Sequence, residues 1–169
     1  MNELSLDNFR VSSWLEPKSL NDGWKIVRNP NGGTILFKDR LWWMDDFMLG
    51  PGYDNTFSFI EKASGKILIT GLGLGCVPAY LVKHKDNLIE KITIVEIEKE
   101  LIKHVGESLK KMSLKIEIIH SNALTYVPSE KFDFAWHDFT YCFPEKEMID
   151  QIRNHYQNFC ETQCFWNEK

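Results

Sequence analysis

Apolar residues recur along this chain with two different periods, and the changes of period mark out its elements. Residues 1–23 sustain neither period and read as an irregular N-terminal arm. Residues 24–28 and 34–37 are short strand-like runs flanking Asn29-Pro30-Asn31-Gly32-Gly33, a stretch that tolerates positive φ and tight reversal. Together they predict a β-hairpin. Past Lys38-Asp39-Arg40, residues 41–44 predict a third strand, giving an antiparallel meander over 24–44 that Gly50-Pro51-Gly52 breaks off.

From there strands and helices alternate. Asp54 or Asn55 caps a helix carrying Phe57, Ile60 and Ala63 on one side, with Gly65 as its stop. Residues 66–70 predict a buried strand, and 77–85 a helix with Pro78 in its first turn, where a missing N–H costs nothing. A strand at 92–95 precedes a helix at 99–112 that places Leu101, Ile102, Val105, Leu109 and Met112 on one face. Strands at 115–119 and 132–136, a helix at 145–160 built on Met148, Ile149, Ile152, Tyr156 and Phe159, and a strand at 163–166 complete the series. Such alternation implies a parallel sheet with right-handed crossovers. The expected class is α/β, a mostly parallel sheet with helices on both faces behind a small antiparallel meander. At 169 residues the chain suffices for one core and is short for two, so 24–169 is expected to form a single domain.

Composition narrows the function. A formal net charge of -4 offers none of the basic field that sequence-independent nucleic-acid binding needs, so a nucleic-acid partner is disfavoured. Residues 1–10 lack a basic start followed by an apolar stretch, and no apolar run approaches the roughly 20 residues that span a bilayer. A cytoplasmic protein without membrane contact is the expectation. Cys76, Cys142, Cys160 and Cys164 form no C-x-x-C pair, so neither a metal site nor a disulfide framework is indicated, and reduced, buried thiols are expected. Six Trp and eleven Phe suit a core or a pocket that stacks a flat ligand.

The chemistry concentrates where the strand Ile67-Leu68-Ile69-Thr70 runs into Gly71-Leu72-Gly73-Leu74-Gly75 and then a helix. Glycines there let the backbone approach a ligand at the carboxyl edge of the sheet. A second strand ends in Glu96, 21 residues beyond Gly75, close to the spacing at which a carboxylate reaches ribose hydroxyls. A dinucleotide fingerprint wants Gly or Ala three residues after Gly73, where Cys76 stands, so NAD fits less well.

The Gly-x-Gly-x-Gly loop with Glu96 resembles class I S-adenosylmethionine-dependent methyltransferases, a Rossmann-like superfamily, over residues 66–166. The preceding hairpin and helix, with Val95-Glu96-Ile97-Glu98-Lys99-Glu100-Leu101-Ile102, resemble its spermidine synthase branch and extend the likeness back to Trp24. The resemblance implies S-adenosylmethionine, or its decarboxylated form, held by Gly71, Gly73, Gly75 and Glu96. It also puts Asn122, with Ala123 beside it, at the place of an acid that meets the adenine amino group. Asn122 can accept from that group and donate to a ring nitrogen, or serve as an ordinary turn residue. The carboxyl end of the fourth strand is where the resemblance puts substrate-facing residues, which makes Asp138 the expected catalytic residue, with Tyr141 where spermidine synthases carry a second acid. Asp138-Phe139-Thr140-Tyr141 also matches the ends, but not the prolines, of the Asp/Asn-Pro-Pro-aromatic motif of nucleic-acid amino-methyltransferases.

His137 has the ordinary pKa of a general base, yet strand alternation turns it away from Asp138, into the core or under a helix. Trp42, Trp43 and Tyr53 are candidates for the pocket mouth, or simply pack hairpin on sheet. Asp45 and Asp46 either contact an amine or are solvated loop acids. Relative to the resembled superfamily the chain ends after its fifth strand, two short, and an exposed edge there would suit a homo-oligomer. Three functions follow from the resemblance: methyl transfer to a small acceptor, aminopropyl transfer or another sulfonium cleavage, and non-catalytic S-adenosylmethionine binding.

Overall fold

A computed structural model describes residues 13–46, 54–139 and 145–166. Its first sheet is an antiparallel meander of β1 (Lys18–Ser19), β2 (Trp24–Arg28), β3 (Thr34–Lys38) and β4 (Leu41–Asp45), in that spatial order. Helix α1 (Asp54–Lys62) leads into a second sheet. There β5 (Gly65–Thr70), α2 (Cys76–His84), β6 (Ile89–Glu96), β7 (Ile116–His120), β8 (Phe132–His137), α5 (Lys146–Tyr156) and β9 (Cys160–Phe165) follow one another, with α3 (Lys99–Leu101) and α4 (Glu107–Met112) between β6 and β7. The strand order is β7-β6-β5-β8-β9 and every pairing is parallel. The order reverses between β5 and β8, and a crevice at the carboxyl ends of the strands opens at such a switch point.

The pleat divides the apolar residues of this sheet between two cores. Ile67, Ile69, Ile92, Ile94 and Trp136 face α1, α2 and the α3–α4 segment, and Trp24, Ile26 and Leu36 of the meander join them. Leu68, Val95 and Ala135 face the other way, under Ile152 and Tyr156 of α5, and Phe132 at the start of β8 joins that cluster. Helices thus cover both faces, as the alternation of elements predicts. The meander is docked by polar ties as well. Trp24 Nε1 donates to Glu98 at 3.1 Å, and the Asn21 amide to Glu100 at 3.0 Å.

Three elements depart from the sequence reading. The described part of the supposed irregular arm is ordered on the meander: β1 pairs with β2, Leu15 is buried, and Arg28 holds the Leu15 carbonyl at 2.8 Å. The helix expected over 99–112 is interrupted by a π-helical turn, Ile102–Gly106. The helix expected to reach residue 160 ends at Tyr156, because the Phe159 carbonyl accepts the Phe132 amide at 2.7 Å and draws the chain into β9. Lys85 is buried, and its ammonium is bonded at 2.7 Å to each of the Ile60, Glu61 and Ala63 carbonyls, so all three donors are used in capping the end of α1.

Candidate functional site

The carboxyl ends of β5, β6, β7 and β8 surround a cleft of about 210 Å³. It is lined by Gly71, Leu72 and Gly73 after β5, Glu96 and Glu98 at the end of β6, Asn122 and Ala123 after β7, and Asp138 and Phe139 after β8, together with Trp24, Trp43 and Met44 of the meander. Of the residues expected from sequence, Gly71, Gly73, Glu96, Asn122, Ala123 and Asp138 are therefore brought together. Gly75 is not part of the lining. It has φ +70°, and a side chain there would press on Val105 and Leu109, so its smallness seats the loop against the α3–α4 segment. Tyr141, Tyr53, Cys142 and the Gly50-Pro51-Gly52 turn lie outside the described residues.

Gly71 is required by the backbone beside it, and Gly73 by its positive φ with a methionine side chain close against it. Gly71 has φ +93°, and a Cβ there would overlap the Asp138 carbonyl oxygen, while the Asp138 amide donates to Thr70 at 2.9 Å. The glycine loop and the end of β8 are in backbone contact. At Gly73, φ +49°, a Cβ would overlap the Met44 sulfur, and the Leu74 amide donates to that sulfur at 3.1 Å.

Glu96 is buried, and its carboxylate already organises the site. One oxygen accepts the Leu72 amide at 2.7 Å, and the other the Ile97 and Glu98 amides at 2.7 and 2.8 Å. Desolvation raises its pKa, and the three N–H bonds oppose the rise. Four lone-pair sites against three donors leave one site on the oxygen that faces Leu72. Asn122 is exposed and its side-chain oxygen accepts the Leu124 amide at 2.9 Å, an Asx-turn that takes one of that oxygen's two lone pairs. Asp138 is half-buried at the far end of the cleft; desolvation raises its pKa to about 7, tempered by the Trp136 indole beside it. A carboxyl poised near neutrality can hold or release a proton at working pH, as a general base must.

His137 is no base for this cleft. It is buried on the opposite side of β8, with Nδ1 2.9 Å from the Thr70 hydroxyl and Nε2 3.2 Å from the Gln163 side-chain oxygen, between the rings of Tyr156 and Phe165. Desolvation pushes its pKa down to about 3, with the Arg153 charge adding to the fall and the Gln163 bond opposing it. The unfolded chain takes up a proton below about pH 6.5 and the folded chain does not until about pH 3, so folding loses roughly 1.4 kcal/mol per pH unit across that window. Urea unfolding at pH 7 and pH 4.5 tests this. The His137→Gln variant is expected to lose about 2–3 kcal/mol less than the parent chain over that interval, and equal losses would refute the assignment.

Other sequence expectations resolve unevenly. Trp43 reaches the cleft, edge-on to Trp24 with ring centroids 5.2 Å apart, whereas Trp42 is 50% exposed and leans on Phe37. Asp46 is no solvated loop acid: it is 1% exposed and accepts the Thr34 amide at 3.0 Å. Cys76 and Cys160 are buried free thiols, and Cys164 is half-buried. Among the described residues no three His, Cys, Asp or Glu side chains are grouped to hold a metal, and no helix is long and apolar enough to cross a membrane. Sequence reasoning missed Met44, Trp24 and Glu98; only Glu98 carried a signal, two residues after Glu96 on the same loop.

No protein-family profile and no curated protein sequence matches the chain. Solved structures do. The N-methyltransferase NodS from Bradyrhizobium japonicum WM9 superposes with a TM-score of 0.52 at 15% identity, covering 67% of this chain and 64% of that one. M. capricolum TrmK, solved with the natural cofactor product S-adenosyl-homocysteine, gives 0.54 at 16% identity, over 68% and 51%. The 23S rRNA methyltransferase ErmE gives 0.50 at 20% identity, over 66% and 44%. In each case this chain spans less than two thirds of the neighbour. At such identities the likeness establishes the fold alone, a Rossmann-like α/β fold shared with these methyltransferases.

Proposed function

We propose that this chain binds S-adenosylmethionine across the carboxyl edge of its parallel sheet and transfers the methyl group to a small acceptor at Asp138. The observation that carries the reading is the convergence of Gly71, Gly73, Glu96, the 122–123 turn and Asp138 on one cleft at the switch point of the sheet. Ligand and residues fit. The spare acceptor site of Glu96 suits a ribose hydroxyl, and the turn at Asn122 and Ala123 suits the adenine edge. When bound, the sulfonium supplies an electrophilic methyl group. The protein's part is alignment of the acceptor and acceptance of its proton at the Asp138 carboxylate.

Aminopropyl transfer, the spermidine synthase-like alternative, uses the same cleft and differs in the tail of the nucleoside. The charged side chains that line the cleft among the described residues are Glu96, Glu98 and Asp138, all acidic, and this favours a cationic donor under either reaction. Binding without turnover is the third reading, and the turn role of Asn122 leans toward it.

A thermal-shift comparison tests the common premise. S-adenosylmethionine and S-adenosyl-homocysteine are expected to raise the melting temperature at millimolar concentration, since ligands that bind only the native state stabilise it, and NAD is expected to leave it unchanged. A shift with NAD and none with either adenosyl compound would overturn the proposal.

A further inference from the structure

Met44 is the last apolar residue of β4, and its side chain touches the glycine turn itself. Its sulfur accepts the Leu74 amide at 3.1 Å, inside the turn that the three glycines build, and fills the space that the missing side chain of Gly73 leaves open. The same side chain borders the cleft and a smaller cavity behind it, lined by Thr56, Cys76, Val77 and Trp136. A thioether is a weak acceptor, so the Leu74 N–H is held by a partner that a stronger acceptor can replace.

The strands fix where a nucleoside would place its parts. With the base at the end of β7 and the ribose at Glu96 on β6, the 5′ substituent runs over β5, onto Gly71 and Gly73 and toward Asp138 on β8. That path meets Met44. Among the described lining residues no Lys, Arg or His receives a carboxylate at its end.

We propose that Met44 sets which 5′ substituent the cleft accepts. A nucleoside thioether with a one-carbon substituent binds beside the methionine, whereas one bearing a full homocysteine tail binds only after the Met44 side chain leaves the glycine turn. The inference rests on the nucleoside reading of the cleft and adds to it a residue that discriminates by tail length.

Calorimetric affinities for 5′-methylthioadenosine and S-adenosyl-homocysteine test it in the parent chain, Met44→Ala and Met44→Leu. The parent chain is expected to prefer methylthioadenosine. Met44→Ala is expected to bind S-adenosyl-homocysteine at least tenfold more tightly than the parent and to lose the preference for methylthioadenosine. Met44→Leu keeps the bulk and is expected to keep the preference. If Met44→Ala does not fold, Met44→Val shortens the side chain with less loss of packing and is expected to show the same direction of change. Unchanged or weaker homocysteine-tail binding in the shortened variant, with methylthioadenosine still bound, would overturn the role of Met44 and leave the nucleoside cleft standing. Failure of both compounds to bind the folded parent chain and the folded variants would overturn the nucleoside reading and this inference with it.

Discussion

Asp138→Asn is expected to cut turnover sharply while leaving the nucleoside bound. General-base catalysis by a positioned carboxylate contributes about 10²–10⁴-fold, and the amide keeps the shape of the side chain without its charge. In the parent chain the rate of S-adenosyl-homocysteine release, followed by chromatography with a panel of small amine and hydroxyl acceptors, is expected to rise with pH through about 7 and then level, because Asp138 titrates there. That limb is expected to vanish in the variant. The stability effect has the opposite sign. Below about pH 4 the carboxyl is neutral in folded and unfolded chains alike. Between about 4 and 7 the unfolded chain gives up its proton while the folded chain keeps it, so stability falls as pH rises, and above 7 the loss is complete. The asparagine variant of the ligand-free protein is therefore expected to be the more stable at pH 8, by something on the order of 2–4 kcal/mol. A side chain that weakens the fold and is needed for turnover is held for its chemistry. Full activity in the variant would move the reacting centre away from β8.

Glu96→Ala is expected to damage both binding and folding. Loss of a charge-assisted bond to ribose weakens nucleoside affinity by about 1.5–3 kcal/mol, roughly ten- to a hundredfold. From sequence alone a strand-end acid facing a ligand would contribute little to stability. The structure corrects that expectation, because removal of this carboxylate strands the amides of Leu72, Ile97 and Glu98. A further loss of about 2–4 kcal/mol in unfolding free energy is expected from donors left unsatisfied. Glu96→Gln separates the two effects: one carbonyl oxygen still serves part of the amide set, so much of the stability returns while affinity stays reduced. Calorimetry and urea titration of both variants read these quantities. Undiminished affinity in Glu96→Ala would remove the ribose assignment.

What was legible in the sequence is what local pattern encodes. Period changes located the strands and helices because each buries a face of its own, and the glycine loop announced itself by following an apolar strand directly. Glu96 was legible for the same reason, as the last residue of a strand in the same register. Residues placed by packing between distant segments were hidden. Met44 and Trp24 enter the cleft because the meander folds over the second sheet, and no spacing near residues 24 or 44 records that. Gly75 could not be told from its neighbours, since a glycine that admits a ligand and one that admits Val105 and Leu109 look alike in a string of letters. The carboxylate of Glu96 was assigned to the ligand alone, when three amides brought together only by the fold already share it.

The contact between Gly71 and the Asp138 carbonyl has a further reach. A side chain added at Gly71 displaces the end of β8, so damage to the glycine loop is passed to Asp138, the acid proposed to take the acceptor's proton. In a lineage of such proteins the two positions cannot be tuned one at a time: a change in the loop is a change in the seat of the acid.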